Sequence, residues 1–269
     1  MALQDTQSVQ HAVSLTQAAL AGAYLLLGEI HDNAHGHRLR LGWIERVLEA
    51  GARPAFVFEQ FHLEEQAAID RASAEARARA VPDAKRWLEA VQPASRWPWP
   101  HYEPLIALAL RHELPIVAGN LSRAALRSMM PAEGTDGLAH LARWYGAALP
   151  PSIDERVLDG QTQAVYEGHC KLIDRAQARR LAILQMARDA TMARALSSAG
   201  RPAVLIAGSG HTRRDLGVAR WLPERARCLA VGVIEVDPPP ADPTLGPAYD
   251  LVERIPAVER ADPCAALRR

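Results

Sequence analysis

Four times in this chain an apolar run of strand length stops at a polar group, with helical or loop sequence before the next run begins. Tyr24-Leu25-Leu26-Leu27 stops at Gly28 and delivers Glu29, His31, Asp32 and Asn33, and Pro54-Ala55-Phe56-Val57-Phe58 delivers Glu59 and Gln60. Leu114 to Ala118 delivers Gly119 and Asn120, and Pro202 to Ala207 delivers Gly208-Ser209-Gly210-His211. Short continuous apolar runs bounded by turn residues are what strands buried on both faces look like, and such strands belong to parallel sheets covered by helices. Between the first two runs, Leu39, Leu41, Ile44, Val47 and Leu48 have helical spacing that ends at Gly51, which makes a βαβ unit. The expected fold class is α/β, a mainly parallel open sheet flanked by helices.

Leu63 to Leu88 is rich in Ala, Arg and Glu and reads as exposed helix. The prolines of Trp97-Pro98-Trp99-Pro100-His101-Tyr102 forbid helix and its aromatics need cover, so it is placed as a loop over the sheet edge. Pro104 to His112 suits a helix with proline in its first turn. From 121 to 195 no strand is legible. Val157 to Leu196 is long, helical and amphipathic, broken near Gly168. A single domain over 1–269 follows, with a core sheet in 20–120 and 200–256 and an inserted helical subdomain over 121–195. Leu229 to Val236 adds a fifth strand, the proline-rich Pro238–Pro247 closes the core, and Tyr249 to Ile255 reads as a short edge strand.

At 269 residues and 49% hydrophobic, the chain can bury a sizeable core. Its 31 Lys and Arg balance 31 Asp and Glu, so no net field draws it to nucleic acid or to an anionic membrane. No run approaches the ~18 apolar residues of a membrane span. Cys170, Cys228 and Cys264 are odd in number and far apart, and read as reduced structural thiols. The start of the sequence lacks a basic segment and a lipidation cysteine, which sets a cytoplasmic expectation.

In an open parallel sheet every strand's carboxyl end lies on one edge, where ligands of such folds bind. Glu29, His31, Glu59, Asn120 and His211 are therefore expected around one cleft. Glu29 and His31, two residues apart on an extended backbone, point to the same side. Imidazoles mixed with carboxylates suit a divalent metal such as zinc, manganese or iron held by Glu29, His31, Glu59 and His211, or a metal-free centre with His31 as general base. Asn120 or Asp32 taken alone reads equally well as a cap on the next helix. His35 and His37 read as solvated, and Arg188 with Asp189 as a helix-surface pair. Tyr166 and His169, three apart on one helix face, are candidates for a cleft or for packing.

Several of these stretches together resemble a known family. Leu27-Gly28-Glu29-Ile30-His31-Asp32-Asn33, Phe58-Glu59-Gln60-Phe61, the Trp-rich stretch into Tyr102 and Pro104, Val117-Ala118-Gly119-Asn120, Gln185 with Arg188-Asp189, and Ile206 to His211 with Arg214-Asp215 are similar, in order, to the ChaN-type haem-binding proteins of the Tiki-like superfamily. The resemblance implies haem as the cofactor, held between protomers of a homodimer, and a role in iron uptake that family members typically perform as surface lipoproteins. With haem, the expected ligand site lies between the strand-end edge and the helical insertion. Tyr166 or His169 is then the axial donor, with Glu29, His31, Asn120 and His211 nearby. The alternative reading is a hydrolase similar to the Tiki metalloproteases and erythromycin esterases, with Glu29, His31 and His211 as catalytic residues.

Overall fold

The computed structural model describes residues 6–79, 81, 83–94, 97–224, 226–236, 248–262 and 264–265; Pro238–Pro247 lies outside them. The elements follow as α1 (Thr6–Leu20), β1 (Tyr24–Glu29), α2 (Ala34–Glu49), β2 (Ala55–His62), α3 (Gln66–Arg77), α4 (Ala84–Val91), α5 (Glu103–Arg111) and β3 (Ile116–Asn120). Then come α6 (Arg123–Ser128), α7 (Gly137–Tyr145), α8 (Glu155–Gly168), α9 (Arg175–Ala199), β4 (Ala203–Gly208), α10 (Ser209–Thr212), β5 (Cys228–Val236) and β6 (Leu251–Pro256). All six strands pair in parallel, in the spatial order β3-β2-β4-β1-β5-β6.

The apolar runs are buried for the reason their sequence gives. Leu25, Leu26 and Leu27 are all fully buried, because β1 has a strand on each side and a helical layer on each face. Their side chains alternate. Leu25 and Leu27 join Phe56, Phe58, Val204 and Ile206 under α1 to α5, while Leu26 joins Val57 and Leu205 under α6 to α9. Each such leucine contributes roughly 1.5–3 kcal/mol of burial.

Among the described residues no strand falls within 121–195, as expected, and these helices form the second covering layer of the sheet. The break at Gly168 is also present, with Cys170 and Lys171 at positive φ (57° and 59°) between α8 and α9. One feature is additional to the sequence reading and one corrects it. Residues 6–20 are a helix, whose buried Leu15 and Ala19 pack toward β1 and β5. Cys170 and Cys264 are joined in a disulfide across 94 residues of sequence, which corrects the expectation of reduced thiols; Cys228 alone is free. Pairing at that separation depends on where the C-terminal segment returns, which spacing cannot reveal.

Candidate functional site

Register decides which strand ends meet. β1 pairs with β4 so that Glu29 lies opposite Gly208, and Phe58 lies opposite Ile206, which brings Glu59 beside the same turn. Gly28 is needed for this approach, since a Cβ there would sit 2.7 Å from Ser209 Oγ and 2.7 Å from the Val231 carbonyl oxygen.

The Glu29 carboxylate is buried and fully engaged. Its Oε1 accepts from His31 Nδ1 (2.7 Å), Gln60 Nε2 (3.0 Å) and the Tyr102 hydroxyl (2.5 Å), and its Oε2 is paired with the Arg40 guanidinium. Asn33 sets this up by capping α2, its Oδ1 accepting from the His35 and Gly36 N–H groups, so that Arg40 returns beneath the end of β1. Burial pushes the Glu29 carboxyl up, but Arg40 and then His31 overcome it and hold it well below the usual carboxylate range. Burial pulls His31 down, but the bond to Glu29 together with the negative charges of Glu59 and Glu29 outweighs it, so its value is raised. With Nδ1 tied to Glu29, His31 turns its Nε2 edge toward Gly208, where a Cβ would lie 3.0 Å from that nitrogen. Trp97 packs edge-on against the His31 ring, centroids 4.6 Å apart. His37 is buried, correcting its reading as solvated: Arg40 donates to its Nδ1 (2.8 Å) and its Nε2 donates to the His31 carbonyl (3.0 Å). Burial and then Arg40 lower its pKa to about 4.

A second histidine–carboxylate pair stands across Glu59. His211, on α10, gives Nδ1–H to Asp189 at 2.6 Å, and Gln161 donates to the other Asp189 oxygen at 3.1 Å. Asp189 is fully buried, which corrects its reading as one half of a surface pair with Arg188. Burial raises the Asp189 carboxyl to about 6, with His211 only partly offsetting it. Burial lowers His211, and Glu59 and Asp189 outweigh it, so its value is raised. Glu59 accepts the Gly208 N–H at 2.7 Å and lies 3.5 Å from His211 Nε2.

Glu29, His31, Glu59, Asn120 and His211 thus line one cavity of about 1310 Å³ at the carboxyl edge of the sheet. Asn120 has a local task as well, donating to the Glu59 carbonyl (2.9 Å) and accepting from the Leu121 N–H (2.8 Å). The far wall is formed by Arg123 of α6 with Gln185 and Arg188 of α9. Tyr166 and His169 do not line it. They sit at the C-terminal end of α8, Tyr166 beneath the Arg175 guanidinium (3.9 Å) and His169 giving Nδ1–H to the Val165 carbonyl (2.8 Å), so the expectation that they reach the strand-end cleft is corrected. Among the described residues, no group of three or more His, Cys, Asp or Glu side chains is placed to hold a metal ion. Arg40, Tyr102 and Asp189 were not assigned to the site from sequence. An arginine on an amphipathic helix reads as a solvated face, and only tertiary contact distinguishes it.

A family model described as haem-binding uptake, Tiki superfamily, ChaN matches residues 15–222, more than half of the chain. The chain belongs to this ChaN family. Among solved structures, one described as cofacial haem binding to ChaN of Campylobacter jejuni superposes with TM-score 0.67 at 20% identity, covering 85% of this chain and 87% of that one, and shows that the fold is shared. An erythromycin esterase, the EreC mutant H289N in its open conformation, gives TM-score 0.47 at 13% identity over 84% of this chain and 73% of that one, a similarity too low to carry an argument. Among curated proteins none matches this ChaN-family chain.

Proposed function

We propose that this ChaN-family protein binds haem in the cavity between the strand ends and the helical layer, with His31 as the donor to iron. The observation that carries the reading is the presentation of His31. Its Nδ1 is clamped by Glu29, itself held by Arg40, Gln60 and Tyr102, and its Nε2 edge faces a cavity of about 1310 Å³. A ring nitrogen tied to a carboxylate fixes the tautomer and orients the other nitrogen for a metal, which is how haem-ligating imidazoles are supported. The remaining walls fit the group: Ile30, Trp97 and Leu121 offer apolar surface, and Arg123 and Arg188 offer positive charge for propionates. When bound, haem supplies a redox-active iron.

Haemin titration followed by absorbance tests this. Wild type is expected to give a saturable Soret shift, weakened by His31→Ala at least on the order of the 10- to 100-fold that follows when a metal ligand merely loses its supporting partner, and unchanged by Tyr166→Phe or His169→Ala. No saturable shift in wild type would end the reading. Homodimerisation, implied by the family resemblance, belongs to the same proposal and is tested by sedimentation with and without haemin. The Cys170–Cys264 bond favours an oxidising compartment over the cytoplasm expected from the sequence start, since such bonds persist there; fractionation of the native host decides between them.

A second reading is favoured by one observation that haem binding does not require, the Asp189–His211 pair facing Glu59 opposite Glu29–His31. Two oriented imidazoles about one carboxylate suit metal-free hydrolysis, with His31 taking a proton from water and His211 stabilising or protonating the leaving group. Loss of ester hydrolysis by 10²- to 10⁴-fold in both His31→Ala and His211→Ala is the expected mark of that activity.

A further inference from the structure

The arginines around the cavity are of two kinds. Arg40 is paired with Glu29, and Arg260 is paired with Asp32 (2.8 Å) and Glu235 (2.5 Å). Arg188 and Arg123 are not paired with any carboxylate among the described residues. The Arg188 Nε is buried without a hydrogen-bond partner, and its Nη1 reaches only Gln185 Oε1, at 3.4 Å, beyond the usual range for a hydrogen bond. The nearby carboxylates are otherwise engaged: Asp189 points at His211 and Gln161, and Glu59 at Gly208 and His211. Burial weakens the Arg188 cation, the fields of Glu59 and Asp189 support it through space, and Arg123 repels it. Two arginines without a counter-ion among the described residues thus line the space a ligand would fill. A buried unpaired cation is costly, and a planar guanidinium relieves that cost best by bidentate bonds to an oxyanion.

We propose that Arg188 and Arg123 form an anion-binding subsite that seats a carboxylate or phosphate group of the ligand, while the rest of the ligand extends toward His31 and His211. The subsite rests on the cavity being a ligand site and not on the ligand being haem. It orients what enters: the anionic end lies against α6 and α9, and the opposite end meets the two imidazoles. Arg188 is the stronger anchor because it is half-buried, whereas Arg123 is exposed and screened.

The test is calorimetric titration of inorganic phosphate and, separately, acetate into the purified full chain at neutral pH. Saturable binding of at least one is expected, and the tighter of the two identifies tetrahedral or planar anions as the preferred group. Arg188→Gln should weaken it on the order of 10- to 100-fold, as loss of charge-assisted bonds does. Arg123→Gln should weaken it less, and Arg46→Gln, exposed beside Glu49 on α2, should leave it unchanged. Should Arg188→Gln fail to fold, the exposed Arg123→Gln carries the same comparison. A second arm compares haemin with its dimethyl ester by absorbance, where esterification should cost wild type roughly tenfold and Arg188→Gln nothing further. Anion binding without any haemin binding sustains the subsite and removes haem. No saturable anion binding to wild type, or wild-type affinity retained in both Arg188→Gln and Arg123→Gln, overturns the subsite whatever haemin does.

Discussion

The two histidine–carboxylate pairs that face each other across Glu59 look alike in outline and are opposite in their electrostatics. Glu29 and Asp189 are both buried and both accept from an imidazole Nδ1, at 2.7 and 2.6 Å. Glu29 has a guanidinium in contact, and its carboxyl is held well below the usual range; Asp189 has none, and burial carries it up to about 6. The lesson is that a histidine alone does not make a buried carboxylate a firm anion, whereas a buried arginine does. The Glu29 side is a fixed charge that orients His31, and the Asp189 side is a group able to exchange a proton near neutral pH.

Removing the arginine should collapse the difference, and with the largest effect. Arg40→Met leaves Glu29 buried and uncompensated, which is expected to cost roughly 3–5 kcal/mol in urea denaturation. Asp189→Asn, losing one charge-assisted bond to His211, should cost about 1–2 kcal/mol. Equal losses in the two variants would mean that Arg40 does not set the contrast.

Next in size is the acid limb. His37 is neutral between Arg40 and the His31 carbonyl, its pKa lowered to about 4 from 6.5, so the unfolded chain binds the proton first and stability falls as pH drops from about 6.5 to 4. That shift amounts to about 3 kcal/mol, and His37→Gln should flatten the profile over that window. The Glu29 side has the same direction, its stabilisation being lost as pH falls through a depressed folded value. The Asp189 side runs the other way. Between 3.8 and about 6 the folded state holds more protons than the unfolded one, so this group's contribution falls as pH rises, and the raised His211 adds a loss in the same direction above 6.5. Asp189→Asn should remove the fall between pH 4 and 6 and leave the His37 limb intact. A single limb that vanishes in both variants would show that the pairs titrate as one unit.

The smallest effect sharpens the geometry. Gly208→Ala places a Cβ 3.0 Å from the His31 ring, which must give by a few tenths of an ångström. Ligand affinity should fall several-fold while stability changes by less than ~1 kcal/mol, as for a minor strain in a partly open site.

The sheet and the Glu29–His31 side were legible in the sequence because both depend on local order. Each apolar run marks the buried body of a strand and the polar residues follow at its end, and residues 29 and 31 share a side by period alone. The other features arise through tertiary contact. Arg188 and Asp189 are adjacent on α9, and adjacent helical residues point about 100° apart, so one faces the cavity and the other is buried against His211. Read as neighbours they looked like a pair. Tyr102 arrives from a segment 73 residues beyond Glu29, and the Cys170–Cys264 bond spans 94 residues, distances over which only the folded topology decides proximity. Tyr166 lies in the last turn of α8 and His169 caps that helix just beyond it, and helical spacing does not say which surface this end turns toward the cavity.

On the proposed reading, haem enters the strand-end cavity beside His31 and His211, away from the end of α8. Nitrogen-detected NMR of the ten histidines during addition of ferric haemin tests it most directly, because paramagnetic broadening falls steeply with distance from iron. Haem in that cavity should make the His31 and His211 ring signals disappear first while His169 remains sharp. Loss of the His169 signal with His31 and His211 unaffected would contradict it.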